Sequence, residues 1–178
     1  MSGAERIVIV GGGMAASRLV ELLVAGGHGG PITVLGDEPH APYNRILLSA
    51  VLEGSHRPET LALREPGWYA AAGVDLRAGV RVRRLHRAEQ EVELADGVRL
   101  GYDRLVLATG LLPTLPPIRG LLDAEGRLDE RVHPFRDLDD CHRLLAALPG
   151  AGRAVVVGDR KSTRLNSSHR CIRMPSSA

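Results

Sequence analysis

Aromatic residues are scarce: one Trp, one Phe and three Tyr make up 3% of the 178 residues. The core must therefore be filled by Val, Leu, Ile and Ala. The same scarcity leaves few rings on which nucleobases could stack, which argues against a nucleic-acid partner. Cysteine is rare as well. Cys141 and Cys171 lie 30 residues apart with no metal-ligand spacing around them, so they read as free thiols of a reducing compartment. No apolar run approaches the roughly 20 residues needed to span a bilayer. The start, MSGAERIVIVGGG, has no basic leader followed by a long apolar stretch. A cytoplasmic location with no membrane partner is expected. The seven histidines form no H-x-x-x-H spacing, so no metal is expected. No Ser/His/Asp constellation is present, and no catalytic residue is assigned.

Acid is missing from one segment. Residues 161–178 carry Lys161, Arg164, Arg170 and Arg173 with no Asp or Glu, a charge of +4. Taken from +2 for the whole chain, this leaves −2 for residues 1–160. The basic balance belongs to the tail and is no nucleic-acid footprint. The tail also has five Ser and neither helical nor strand period, so residues 159–178 are expected to be unstructured. They are read either as a disordered natural extension or as a non-native end resembling translated adapter sequence. The abrupt change of composition after Gly158 favours the second.

What is present begins as a βαβ unit. Ile7–Val10 is a β-branched run read as a buried parallel strand. Met14 to about Ala25 reads as a helix, with Leu19, Val20, Leu22 and Leu23 on its buried side. Gly26-Gly27-His28-Gly29-Gly30 stops it. Pro31–Leu35 is the second parallel strand. Leu61–Ala72 reads as helical, interrupted near Pro66-Gly67. Across residues 79–107 Val80, Val82 and Leu85, then Val92 and Leu94, alternate with charged residues, and Asp96-Gly97 is a hairpin turn. This is an antiparallel meander whose last member, Leu105-Val106-Leu107, should return to the main sheet. Asp137–Leu148 reads as a helix with Asp137 as N-cap and Asp140 in its first turn. Ala154–Val157 is expected to be another buried parallel strand. The fold class is α/β: a Rossmann-like parallel sheet with an antiparallel meander.

Three features carry chemistry. Gly11-Gly12-Gly13-Met14-Ala15-Ala16 is a G-x-G-x-x-A loop between a strand and a helix. Gly11 permits the tight turn, Gly13 lets backbone approach a pyrophosphate, and Ala16 lets helix and strand pack closely. The phosphates then face the N–H groups and positive end of the helix. After the second strand come Asp37 and Glu38, either of which could accept the ribose hydroxyls of an adenosine. Asp37 follows the strand-end glycine directly and is favoured. The strand 102–107 ends in Ala108, Thr109 and Gly110, whose small size leaves room for a ligand beside the backbone.

Together with EPHAPYNRILLS and LVLATG, these features resemble the FAD domain of the two-dinucleotide flavoprotein reductases. The resemblance covers about residues 5–158. It implies that the first glycine loop and the Ala-Thr-Gly strand end hold FAD, and that a second glycine loop on an inserted domain holds NAD(P)H. It also adds Arg45, Ser49 and Val82 to the cofactor contacts. Ferredoxin-reductase-like members typically read Pro-Tyr-x-Arg-x-x-Leu-Ser-Lys. Here Arg45 and Ser49 match, but Ala50 stands in place of the Lys. YNRILLS, WYAAAGVDL, LATGLLPTLPPI and FRDLDD are most similar to the flavin domain of the NAD(P)H nitrite reductase large subunit. The resemblance would put the redox-active cysteine pair of the disulfide reductases around residues 45–52, where no cysteine stands, which argues against glutathione- or lipoamide-type chemistry.

The resemblance implies residues 1–152 as the N-terminal FAD-binding segment and 153–158 as the first strand of a truncated NAD(P)H domain. It implies electron flow from NAD(P)H through FAD to an acceptor or to C-terminal redox domains, in a fragment that does not itself turn over. The alternatives are a ferredoxin- or rubredoxin-reductase-like flavoprotein and a non-catalytic nucleotide-binding module.

Overall fold

The computed structural model describes residues 4–113, 115–150, 153–158 and 170–172. Most of the expected unstructured tail therefore lies outside the described residues. The chain divides into two units, Met1–Arg119 and Gly120–Ala178.

The first unit is built on a four-stranded sheet in the order β3-β2-β1-β7. β1 is Ile7–Val10, β2 is Ile32–Gly36, β3 is Val74–Ala78 and β7 is Arg104–Leu107. All three pairings are parallel, with Val10 opposite both Leu35 and Leu107. A parallel register of this kind puts the carboxyl ends of neighbouring strands on one edge. The residues that follow β1, β2 and β7 therefore meet there.

β1 is buried on both faces, as its unbroken apolar run requires. Ile7 and Ile9 pack with Ala16 and Val20 of helix α1, Met14–Ala25, and with Tyr69 of α3, Trp68–Ala71. Val8 and Val10 face the other way, towards Val92, Leu94 and Tyr102. Those residues belong to or border the antiparallel sheet of β4 (Val82–His86), β5 (Glu91–Leu94) and β6 (Arg99–Gly101). The Asp96-Gly97 hairpin forms as expected: Gly97 has φ of +88°, and Asp96 Oδ1 accepts from Val98 N at 3.0 Å. Two ion pairs hold the starts of β1 and β7 together, Arg6 with Asp103 and Glu5 with Arg104. The guanidinium hydrogen bonds hold both carboxyls below their ordinary range.

Several expectations need correction. Leu22 is 54% exposed, because the stripe facing the sheet runs through Ala16, Val20 and the flanking Leu19, Leu23 and Val24. At 100° per residue Leu22 lies about 200° from Val20. The helix expected over 61–72 is reduced to a 3-10 turn, Pro58–Leu61, and to α3. Between them Gly67 takes φ of +83°, and Pro66 removes a donor. β3 was not anticipated; its Val74 and Leu76 alternate with Asp75 and Arg77, as suits the sheet's edge.

In the second unit, Asp137 caps α4, Leu138–Ala147. Leu138, Asp140 and Cys141 are buried, and α2, Leu48–Leu52, belongs to the first unit. The Asp137 side chain accepts from Asp140 N at 2.7 Å, while Asp140 accepts from Asp137 N at 3.3 Å and Arg136 N at 2.8 Å. This reciprocal pairing satisfies donors that the helix start leaves open. β8, Ala154–Val156, runs antiparallel to β9, Arg170–Ile172. It is thus neither parallel nor buried as expected, and Val155 is 66% exposed. A short apolar strand recruits whatever backbone pairs with it, and composition does not encode the direction of the partner. β9 itself falls in the segment expected to be unstructured.

One polar contact ties α1 to α3. Tyr69 donates its hydroxyl to Ser17 Oγ at 2.9 Å, with both residues buried. Burial pushes the phenol above its ordinary value. Removing the donor leaves a buried hydroxyl without it, so Tyr69→Phe should destabilise the protein by about 1–2 kcal/mol. Urea unfolding monitored by circular dichroism checks this.

Candidate functional site

The site grows from one close approach. Gly11 follows β1 directly and has φ of +115°, a region that L side chains avoid. Its N–H donates to Leu35 O at 2.8 Å, and Ala108 N donates to Val10 O at 2.7 Å. These bonds draw the ends of β2 and β7 around it. A β-carbon on Gly11 would lie 2.1 Å from Ala108 O and 2.9 Å from Thr109 N. Gly12 is nearly as confined, since its β-carbon would sit 3.1 Å from Gly36 Cα.

Gly13 is the opposite case. A β-carbon there would meet nothing within 4 Å. Gly13 is the N-cap of α1 in an extended conformation, with no side-chain capping bond and no acid in the first turn. The N–H groups of that first turn receive no side-chain cap, and no negative charge offsets the dipole. Met14 and Ala15 are exposed while Ala16 is fully buried against the sheet. Thr109 and Gly110 are exposed beside the loop end, and Gly110 has φ of +70°. An uncapped helix start beside a glycine with open surroundings suits a diphosphate.

The two acids after β2 separate. The Asp37 side chain is 62% exposed, and Arg81 pairs with it only loosely, at 4.0 Å. Glu38 turns inward. Its Oε2 accepts from the Tyr43 hydroxyl at 2.7 Å, and its Oε1 accepts from Arg45 Nη2. The Arg45 guanidinium also lies over the Tyr43 ring, 5.2 Å from its centroid. The loop holding Tyr43 and Arg45 is fixed by backbone bonds from Asn44 N to Leu61 O at 2.8 Å and Leu63 N to Pro42 O at 2.9 Å. The Asn44 side chain then accepts from Ile46 N at 3.1 Å, starting the 3-10 turn Arg45–Leu47.

The remaining sequence candidates are more dispersed. Ser49 is exposed in the first turn of α2. Val82 is half-buried and packs, with Val80, Leu100 and Leu105, against the second core cluster. Tyr43 was not singled out by sequence reasoning. Only the closing of the loop 38–63 reveals it, because its partners are acid and base on either side with no periodic relation. Among the described residues no group of three or more His, Cys, Asp and Glu could hold a metal ion, and no helix is long and apolar enough to cross a membrane.

A family model for pyridine nucleotide-disulphide oxidoreductases matches residues 5–159. The chain is 39% identical over 154 residues to the biphenyl dioxygenase system ferredoxin–NAD(+) reductase component of Paraburkholderia xenovorans LB400, covering 86% of this chain and 36% of that protein. It is 37% identical over 158 residues to nitrite reductase [NAD(P)H] of Bacillus subtilis 168, covering 88% of this chain and 19% of that protein. Among solved structures, the covalent putidaredoxin reductase–putidaredoxin complex superposes with a TM-score of 0.71 at 36% identity, covering 81% of this chain and 34% of that one. The chain thus spans about a third of the ferredoxin reductase and about a fifth of the nitrite reductase. The cofactors of this family are FAD and NAD(P)H.

The two loop glycines should respond differently to substitution. Gly11→Ala should destabilise the fold by about 3 kcal/mol or more, since strained backbone and a backbone clash combine. Gly13→Ala should stay within about 1 kcal/mol of the wild type. Thermal unfolding of the two variants compares them directly.

Proposed function

The chain belongs to the pyridine nucleotide-disulphide oxidoreductase family, and on that premise we propose that residues 1–152 are the FAD-binding segment of an NAD(P)H-dependent flavin oxidoreductase. The observation that carries this is the packing of Gly11 against the Ala108–Thr109 backbone beside an open Gly13. It gathers the glycine loop and the Ala-Thr-Gly strand end into one cradle. In this reading the FAD diphosphate lies over the first turn of α1, against the N–H groups of Gly13, Met14 and Ala15. Ala16 keeps helix and strand close enough for that turn to point into the cradle. Asp37, the exposed acid, accepts the ribose hydroxyls. Thr109 and Gly110 flank the cofactor with small surfaces. Ser49 and Val82 complete its surroundings, and Arg45 supplies a fixed positive charge.

FAD, when bound, supplies the hydride and electron chemistry between NAD(P)H and an acceptor. The work of this chain's residues is to bind, orient and neutralise. No side chain is required as general acid or base. Residues 153–158 are read as the opening strand of the NAD(P)H-binding domain.

For the acceptor we favour a nitrite-reductase-like enzyme, with the electrons passing to further redox domains. Ala50 replaces the Lys of the ferredoxin-reductase-like pattern, which supports that choice. A ferredoxin-type partner is the second reading, favoured by the 39% identity to a ferredoxin–NAD(+) reductase component.

FAD titration of the purified chain, followed by flavin fluorescence, should show saturable binding. Arg45→Ala should weaken it about tenfold, the scale of one charge-assisted hydrogen bond. An unchanged affinity would remove Arg45 from the site. Tight NAD binding with no FAD binding would overturn the cofactor assignment.

A further inference from the structure

From the geometry of the loop after β2 we infer that Glu38 is a positioning residue, which sets the Arg45 guanidinium through a Glu38–Tyr43–Arg45 cluster and does not itself contact the ribose. The inference rests on the reading of this site as an FAD site.

Both oxygens of Glu38 are committed within the protein, one to the Tyr43 hydroxyl at 2.7 Å and the other to Arg45 Nη2. The Glu38 and Arg45 side chains are only 31% and 28% exposed. Asp37, by contrast, is largely open to solvent. Adjacent acids on one loop thus have separate surroundings, and Asp37 is the one placed to meet a hydroxyl from outside. Tyr43 is itself buried and makes an isolated bridge to Ala62. Its ring lies against the guanidinium while its hydroxyl holds the carboxylate. Each member of the cluster therefore orients the other two.

The physical consequence is preorganisation. An arginine side chain has about 2 kcal/mol of rotamer entropy to lose when it is fixed. Glu38 fixes much of it before a ligand arrives, so less is lost on binding. Removing Glu38 should then weaken FAD binding only through Arg45.

A double-mutant cycle isolates that dependence. FAD dissociation constants would be measured by fluorescence titration for wild type, Glu38→Gln, Arg45→Met and the double variant. Circular dichroism would confirm folding. The expected result is a loss of about tenfold for Glu38→Gln when Arg45 is present. In the Arg45→Met background the same change should alter affinity by less than about twofold. Tyr43→Phe should behave alike, with a smaller loss, and carries the same cycle if Glu38→Gln does not fold. Equal losses in both backgrounds would show that Glu38 touches the cofactor itself, and would overturn the inference. No loss, or a gain, in the Arg45 background would overturn it too. If wild type binds no FAD, the FAD reading falls and the inference with it. That outcome differs from the others because they all require a wild type that binds.

Discussion

A β-carbon on Gly11 would stand 2.1 Å from the Ala108 carbonyl oxygen, so the end of β1 and the end of β7 can meet only where residue 11 has no side chain. That approach organises the first unit. It lets Ala108 N reach Val10 O at 2.7 Å and keeps β7 in register with β1. The same strand β1 then offers Ile7 and Ile9 to α1, and Val8 and Val10 to the antiparallel sheet. Two hydrophobic clusters are thus nucleated by alternate residues of one strand. The helix they hold begins at Gly13, whose surroundings are open where those of Gly11 are closed. One glycine serves packing and the other serves space.

Electrostatics divides in a similar way. Most arginines of the first unit are matched with acids, as in Arg6 with Asp103, Arg77 with Asp75 and Arg104 with Glu5. These exposed pairs contribute little stability each. The Glu38–Tyr43–Arg45 cluster differs because it is half-buried and joins two segments of a pinned loop. In the proposed site it would present a cation already held in place, while Asp37 stays available as a carboxylate. Two neighbouring acids would then have two tasks, set by which way the chain turns after β2.

Much of this was legible in the sequence wherever local chemistry decides the structure. The apolar run Ile7–Val10, the glycine loop, the Asp96-Gly97 turn and the Asp137 cap each encode their conformation within a few residues, and each forms. What was not legible depends on partners distant in sequence. Leu22 is apolar but faces away from the sheet. β8 is as apolar as β1, yet it pairs antiparallel with β9 and stays exposed. The inward turn of Glu38 depends on a tyrosine and an arginine that reach back only after the loop has closed. Ser49 and Val82 were named through family resemblance, since neither has a local signal of its own.

The central claim is that the glycine loop and the Ala-Thr-Gly strand end form a single dinucleotide cradle. Amide hydrogen exchange of the purified chain with and without FAD tests it most directly, because exchange reports protection residue by residue. The account predicts slowed exchange on FAD addition at both Gly13–Ala15 and Thr109–Gly110, with little change on the β4–β5 hairpin at residues 87–90. Protection at only one of the two segments, or at neither, would contradict it.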